Sequence, residues 1–214
     1  MADPVMNNLL RWGIENSESS HDPNAPNAPP ESRTQLNPAA LQAFFGGMKS
    51  DADHMKDSMN IIEDAGASNE QKEVAFEDLE MLIQGIDNAN NMENLGLWSR
   101  LVDKFEHEEP SLRKWAAWCA GTAVENNPKA QERLLVIGAV PSLVKLATED
   151  ESVDVRKKAV RALSAVSRNY QPGLDALVDN VPSDFKPKDK LDAADMDSVD
   201  SLITPLREHA QQAR

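Results

Sequence analysis

Leu95-Gly96-Leu97, followed by Leu101 and Val102, returns 42 residues later as Ile137-Gly138-Ala139, followed by Leu143 and Val144. The segment that comes next returns as well: Arg113 and Lys114 match Arg156 and Lys157, Ala116 matches Ala159, and Asn126 matches Asn169, now at an offset of 43. One extra residue in the connecting loop accounts for the change. A third, less regular copy of the long segment spans 69–88, where Ile86-Asp87-Asn88 aligns with Val124-Glu125-Asn126. Apolar residues recur every three or four positions in each copy, the period of a helix that buries one face.

A period of about 42 residues built only from helices is the spacing of armadillo and HEAT solenoids. Ile137-Gly138-Ala139-Val140-Pro141 favours the armadillo form. Glycine stands where a short first helix must turn sharply, and proline stands at the start of the second helix, where its missing N–H is harmless. The fold expected is all-α, an armadillo-repeat right-handed solenoid with a flexible N-terminal segment. Its repeats run over 38–170.

On the N-terminal side, Ser68 with Gln71 reads as a capping box opening a helix whose buried stripe is Ala75, Leu79, Leu82 and Ile86. Before it, Ser50 with Asp53 opens a helix with Ala52, Met55, Met59 and Ile62 on one face. Asn37-Pro38 starts a short helix with Leu41, Phe44 and Phe45. From Asn16 to Pro38 the chain holds five prolines and one large aliphatic residue, Leu36. Such a stretch buries too little to offset its ordering entropy, so 16–37 reads as a linker. Residues 1–15 form a short amphipathic motif, with Asp3-Pro4 at its start and Leu9, Leu10, Trp12 and Ile14 clustered behind. At the other end, 171–214 reads as a cap and tail, with a last helix around Met196, Val199, Leu202 and Leu206 interrupted by Pro205.

Composition narrows the function. Lys plus Arg total 22 against 36 Asp plus Glu in 214 residues, a net charge of −14. That disfavours general binding to nucleic acid or an anionic membrane. A lone cysteine, Cys119, forms no internal disulfide, and no signal-like or spanning apolar run occurs, so a cytoplasmic or nuclear location is expected, the cytoplasm first. The four histidines lack metal-ligand spacing, no phosphate-cradling glycine motif or serine-nucleophile motif is present, and Glu106, Glu108 and Glu109 read as a solvated cluster. The expectation is a non-enzyme with no cofactor and no metal.

What remains is a surface. With Leu112, Ala116, Cys119 and Ala123 as the core stripe, Lys114, Trp118, Thr122 and Glu125 fall on the far side of their helix. The repeat register carries them to Lys157, Arg161, Ala165 and Arg168. Residues 156–168 hold Arg156, Lys157, Lys158, Arg161 and Arg168 and no acid. Long third helices of armadillo repeats line a concave groove, so these positions stack side by side. Tryptophan and arginine are typical anchors of protein interfaces.

The stretch Phe76-Glu77-Asp78-Leu79-Glu80-Met81-Leu82-Ile83, then Ile86-Asp87-Asn88-Ala89-Asn90-Asn91-Met92-Glu93-Asn94-Leu95-Gly96-Leu97-Trp98, resembles the armadillo-type nucleotide exchange factors of DnaK-type 70-kDa heat-shock chaperones, the fungal Fes and animal HspBP proteins. Asn8-Leu9-Leu10-Arg11-Trp12-Gly13-Ile14, Phe44-Phe45-Gly46-Gly47 and Ala116-Ala117-Trp118-Cys119-Ala120-Gly121 add to the likeness. The resemblance implies a monomer that binds the chaperone's nucleotide-binding domain, opens its cleft and speeds ADP release, and so promotes substrate release, protein folding and the regulation of translation. It implies a chaperone-facing site at Asp87, Asn88, Ala89, Asn90 and Asn91, continued by Lys114, Trp118, Lys157, Arg161 and Arg168. It also implies a substrate-releasing role for the Leu9, Leu10, Trp12 and Ile14 cluster. Gly85 stands inside the long helix of that stretch, where a glycine costs about 1 kcal/mol relative to alanine.

The alternative is an armadillo adaptor for extended peptides. Import carriers of that kind place asparagine four residues after each groove tryptophan. Here Thr122 follows Trp118, and the next copy has Arg161 and Ala165, so the ladder is missing.

Overall fold

The computed structural model of the chain describes Trp12 and residues 49–212. The chain divides into two compact units, Met1–Ser50 and Asp51–Arg214. In the first, Trp12 is helical and half-buried, while Lys49 and Ser50 are exposed. The linker, the helix at Leu41–Phe45, and Leu9, Leu10 and Ile14 lie outside the described residues.

The second unit is helical, with no strand among the described residues. Its helices are α1 (Asp51–Glu63), α2 (Asn69–Ile83), α3 (Ile86–Asn91), α4 (Leu97–Asp103), α5 (Pro110–Val124), α6 (Pro128–Val136), α7 (Ala139–Glu149), α8 (Val153–Ser167), α9 (Gln171–Asn180) and α10 (Met196–Ala210). Two full copies of a short, a middle and a long helix are α3-α4-α5 and α6-α7-α8. An incomplete copy stands at each end: α1-α2 before them, and α9 and α10 after them. This is an armadillo-like helical solenoid.

Local chemistry explains the boundaries. The Ser68 hydroxyl accepts from the Gln71 N–H (3.3 Å) and the Gln71 side chain accepts from the Ser68 N–H (2.9 Å), closing the predicted capping box of α2. Gly96 and Gly138 stand in front of α4 and α7 with φ of 65° and 73°. A Cβ added at either would meet open space, so the left-handed backbone, not crowding, calls for glycine there. Asn126 and Asn169 follow α5 and α8 with φ of 53° and 55°. The sequence repeat is thus a repeat of backbone conformation, residue for residue. Pro141 is in the first turn of α7, where no intrahelical acceptor awaits an N–H.

The third copy departs from expectation. The helix starting at Asn69 ends at Ile83, and Gly85, extended at φ −73° and ψ 124°, caps the separate helix α3. Gly85 therefore carries no helix-interior cost. The buried stripe of α2 is Ala75, Phe76, Leu79 and Ile83; Leu82 is only partly buried and Ile86 is exposed. Asp87–Asn91 form a helix of their own and are not the end of a longer one.

In α5, Leu112, Ala116, Cys119 and Ala123 are fully buried, as their spacing requires. Small residues set how near the long helices come. A Cβ on Gly121 of α5 would stand 3.1 Å from the Ala162 Cα of α8. Close packing of α2 on α5 and of α5 on α8 places their outward side chains within reach of one another.

The C-terminal cap is more ordered than its sequence suggests. The α10 helix runs unbroken through Pro205, which is exposed, and buries Val199, Leu202, Ile203, Leu206 and Ala210 against α7 and α8. Arg156, expected on the basic face, is instead completely buried. Its guanidinium donates to the carbonyls of Asp150, Glu151, Ala210 and Gln212, tying the α7–α8 loop to the end of α10. A cation set among four carbonyls at a helix C-terminus is stabilised by both hydrogen bonds and the helix dipole.

Candidate functional site

The outward side of α2, α5 and α8 carries an ordered series of side chains. Glu73 on α2 accepts from the indole Nε1 of Trp115 on α5 (3.3 Å). About two helical turns further along the same pair of helices, the Thr122 hydroxyl donates to Glu80 (2.9 Å), whose other oxygen accepts from Gln84 (3.0 Å). On the opposite side of α5, Arg161 of α8 pairs with Glu125 (3.1 Å). Acids of α2 and cations of α8 therefore flank a central aromatic ridge.

That ridge is a stack. Trp115 and Trp118, three residues apart on one helix, lie with ring centroids 5.1 Å apart and planes 8° from parallel. Lys114 Nζ sits 5.4 Å from the Trp115 ring centre, and Lys158 Nζ 2.9 Å from that of Trp118. Both are cation–π contacts. Burial holds the Lys158 ammonium below the usual lysine range, and the charges of Arg161 and Lys114 push the same way, against Glu80 and Asp154. Beside the stack is a cavity of about 460 Å³ lined by Glu80, Gln84, Trp118, Thr122, Glu125 and Arg161. The Trp118 Nε1–H is buried and has no acceptor among the described residues.

This arrangement is suited to binding. Among the described residues no group of His, Cys, Asp and Glu is placed to hold a metal ion. Burial pushes the Cys119 thiol well up, which keeps it protonated and unreactive; its Sγ lies 3.7 Å from the Phe76 carbonyl. No helix among the described residues is long and apolar enough to cross a membrane.

Residues 6–92 match the family described as nucleotide exchange factor Fes1, and 88–177 match the SIL1/FES1/HPBP1 C-terminal domain. The Hsp70 nucleotide exchange factor FES1 of Gibberella zeae is 52% identical over 217 residues, covering 100% of both chains. The chain belongs to the Fes1 nucleotide exchange factor family. The protein of the same name from Coccidioides immitis is 46% identical, covering 96% of this chain and 98% of that one. The Neurospora crassa Hsp70 nucleotide exchange factor fes-1 is 41% identical, covering 99% and 100%. Among solved structures, the crystal structure of an engineered protein shares the fold, with a TM-score of 0.57 at 20% identity over 81% of this chain and 66% of that one.

In this Fes1-family chain the residues expected to face the chaperone fall into three places. Lys114, Trp118, Lys157 and Arg161 share the α5–α8 face, Lys157 and Arg161 being exposed and the other two half-buried. Arg168 lies elsewhere: its guanidinium pairs with Asp200 and contacts Ser164 and Met196, so it fastens α10 to α8. The third group is on α3. Asp87 is exposed; Asn88 donates to Asp51 (2.9 Å) and to the Leu82 carbonyl (3.1 Å), joining three helices; Asn91 accepts from Asn94 (3.2 Å). Asn90 is half-buried, with its Oδ1 covered and unpaired. Ala89, 1% exposed, packs in the core, and so its side chain has no outward surface to offer. Trp12 is half-buried in the first unit.

Sequence reasoning missed Trp115, Lys158, Glu73 and Glu80. The signal was present: Trp115 is one turn before Trp118, and the 43-residue offset carries Trp115 onto Lys158.

Proposed function

We propose that this chain is a nucleotide exchange factor for an Hsp70 chaperone, acting through binding energy with no catalytic residue of its own. The observation that carries the reading is the end-to-end identity with proteins named Hsp70 nucleotide exchange factor. The α2–α5–α8 face grips the chaperone's nucleotide-binding domain and favours its open cleft. A factor that prefers the open state weakens ADP binding by the same ratio, about 5–150-fold for a coupling of about 1–3 kcal/mol. ATP then replaces ADP and the chaperone lets its substrate go. The Leu9, Leu10, Trp12 and Ile14 cluster aids that release, and the protein works as a cytoplasmic monomer, a setting in which the buried thiol of Cys119 stays reduced.

The test is release of fluorescent ADP from a purified 70-kDa chaperone chased with excess ATP, with and without this protein. Strong acceleration is the expected result. A folded helical protein that leaves the rate unchanged would overturn the reading and favour an adaptor that binds other proteins.

A further inference from the structure

Charge is ordered across the long-helix face. On α2, Glu73 and Glu80 reach the α5 side chains Trp115 and Thr122, and Glu77 stands one turn from each on the same side of the helix. Lys72 is the one cation of α2, and its charge bears instead on His107. On α8 the order is reversed. Lys158 covers the Trp118 ring, Arg161 pairs with Glu125, and Lys157 stands one turn before Arg161; Asp154 is the one acid of that helix. Lys114 of α5 belongs to the same rim, because its charge bears on Lys158.

Neither rim spends all its charge inside the molecule. Glu77 and Lys157 are exposed and form no ion pair among the described residues. Because α2 and α8 pack on opposite sides of α5, two interaxial spacings of about 8–10 Å each separate the rims. A Debye length of about 8 Å at physiological salt screens one from the other. Val74 and Met81, 57% and 65% exposed, stand one turn to either side of Glu77, so the acidic rim offers apolar contact area as well as charge.

We infer that the partner lies across this face in one direction only, a lysine- or arginine-bearing edge against α2 and an aspartate- or glutamate-bearing edge against Lys114 and Lys157, with the Trp115–Trp118 ridge between. Opposite charges meeting across an interface steer the encounter and fix its register more than they add affinity. The inference rests on the exchange-factor reading for the choice of partner, the 70-kDa chaperone, and specifies what that chaperone presents and which way round.

The test measures binding of the full chain to the purified 70-kDa chaperone across a salt series, for the natural sequence, Glu77→Lys, Lys157→Glu and the double variant. Glu77→Lys moves the net charge of −14 toward zero, and Lys157→Glu moves it away by the same amount. Attraction governed by total charge would therefore shift the two affinities in opposite directions. An ordered face gives a loss in both, about threefold or more each, carried mainly by slower association. The double variant keeps the net charge at −14 and inverts the order, so the two distant losses combine to about tenfold or more. All three variants melt with the natural chain, since neither side chain is buried or paired. Glu77→Gln and Lys157→Gln, each with about half the effect, stand in for any variant that does not fold. Unchanged or tighter binding by either single variant, a double variant that binds as the natural chain does, or natural binding that is indifferent to salt overturns the inference. Failure of the natural chain to bind at all refutes the exchange-factor reading instead, so the two failures are distinct.

Discussion

Lys158 Nζ of α8 lies 2.9 Å from the centre of the Trp118 ring of α5, which is itself stacked on Trp115. Cation–π attraction there is worth about 0.5–2 kcal/mol. Burial and the neighbouring charges of Arg161 and Lys114 oppose the ammonium. Lys158→Met keeps the stem and removes both effects, so unfolding in urea should shift by less than about 1 kcal/mol. Tryptophan emission in the folded state should change clearly, because the charge against the ring is gone. A loss of several kcal/mol would show that the ammonium holds the two helices together.

Arg156 should behave in the opposite way. It is fully buried and serves four backbone carbonyls, two of them at the end of α10. Arg156→Met preserves much of the volume and leaves those carbonyls without a donor. The expected cost is about 3 kcal/mol or more. Hydrogen exchange should show early loss of protection in Met196–Ala210, ahead of α5.

Two glycines separate crowding from backbone preference. A Cβ on Gly173 would stand 2.2 Å from the Val166 carbonyl oxygen, a contact that only backbone movement relieves. A Cβ on Gly138 meets nothing, and only its φ of 73° opposes substitution. Gly138→Ala should therefore cost about 1–2 kcal/mol and Gly173→Ala about 3 kcal/mol or more, measured as urea midpoints at constant m.

His107 gives the protein a slope in acid. Burial, then the charges of Lys72 and Lys104, hold its imidazole below the usual value of 6.5, against the pull of Glu108 and Glu109. Its Nδ1 accepts from the Glu109 N–H (3.0 Å), which requires that nitrogen to be unprotonated. The unfolded chain takes up the proton more readily, so this contribution is fully present above pH 6.5 and is lost as pH falls through that value toward the folded pKa. The natural protein should lose stability between neutral pH and about pH 6 more steeply than His107→Asn, followed by thermal unfolding in matched buffers.

The sequence by itself determined the repeat. Gly96 with Gly138 and Asn126 with Asn169 recur because only glycine and, less readily, asparagine adopt a left-handed backbone at small cost, so a repeated turn leaves a repeated letter. The stripe of Leu112, Ala116, Cys119 and Ala123 was legible for a similar reason, since helical period alone decides which face is apolar. The family was legible in the Asp87–Asn91 stretch and its surroundings, which the comparisons with known proteins bear out.

Only the tertiary structure decided which charges face outward. Arg156, Lys157, Lys158, Arg161 and Arg168 look alike as a basic run, yet Arg156 is buried beneath α10, Arg168 is bound to Asp200, and Lys158 lies over the Trp118 indole. Each fate depends on which backbone carbonyl, carboxylate or ring a neighbouring helix brings close, and the Ala210 carbonyl that meets Arg156 and the Asp200 carboxylate that meets Arg168 are 54 and 32 residues away in the chain. Helical period fixes the direction a side chain leaves its own helix, but what it meets there is set by the packing of the next one.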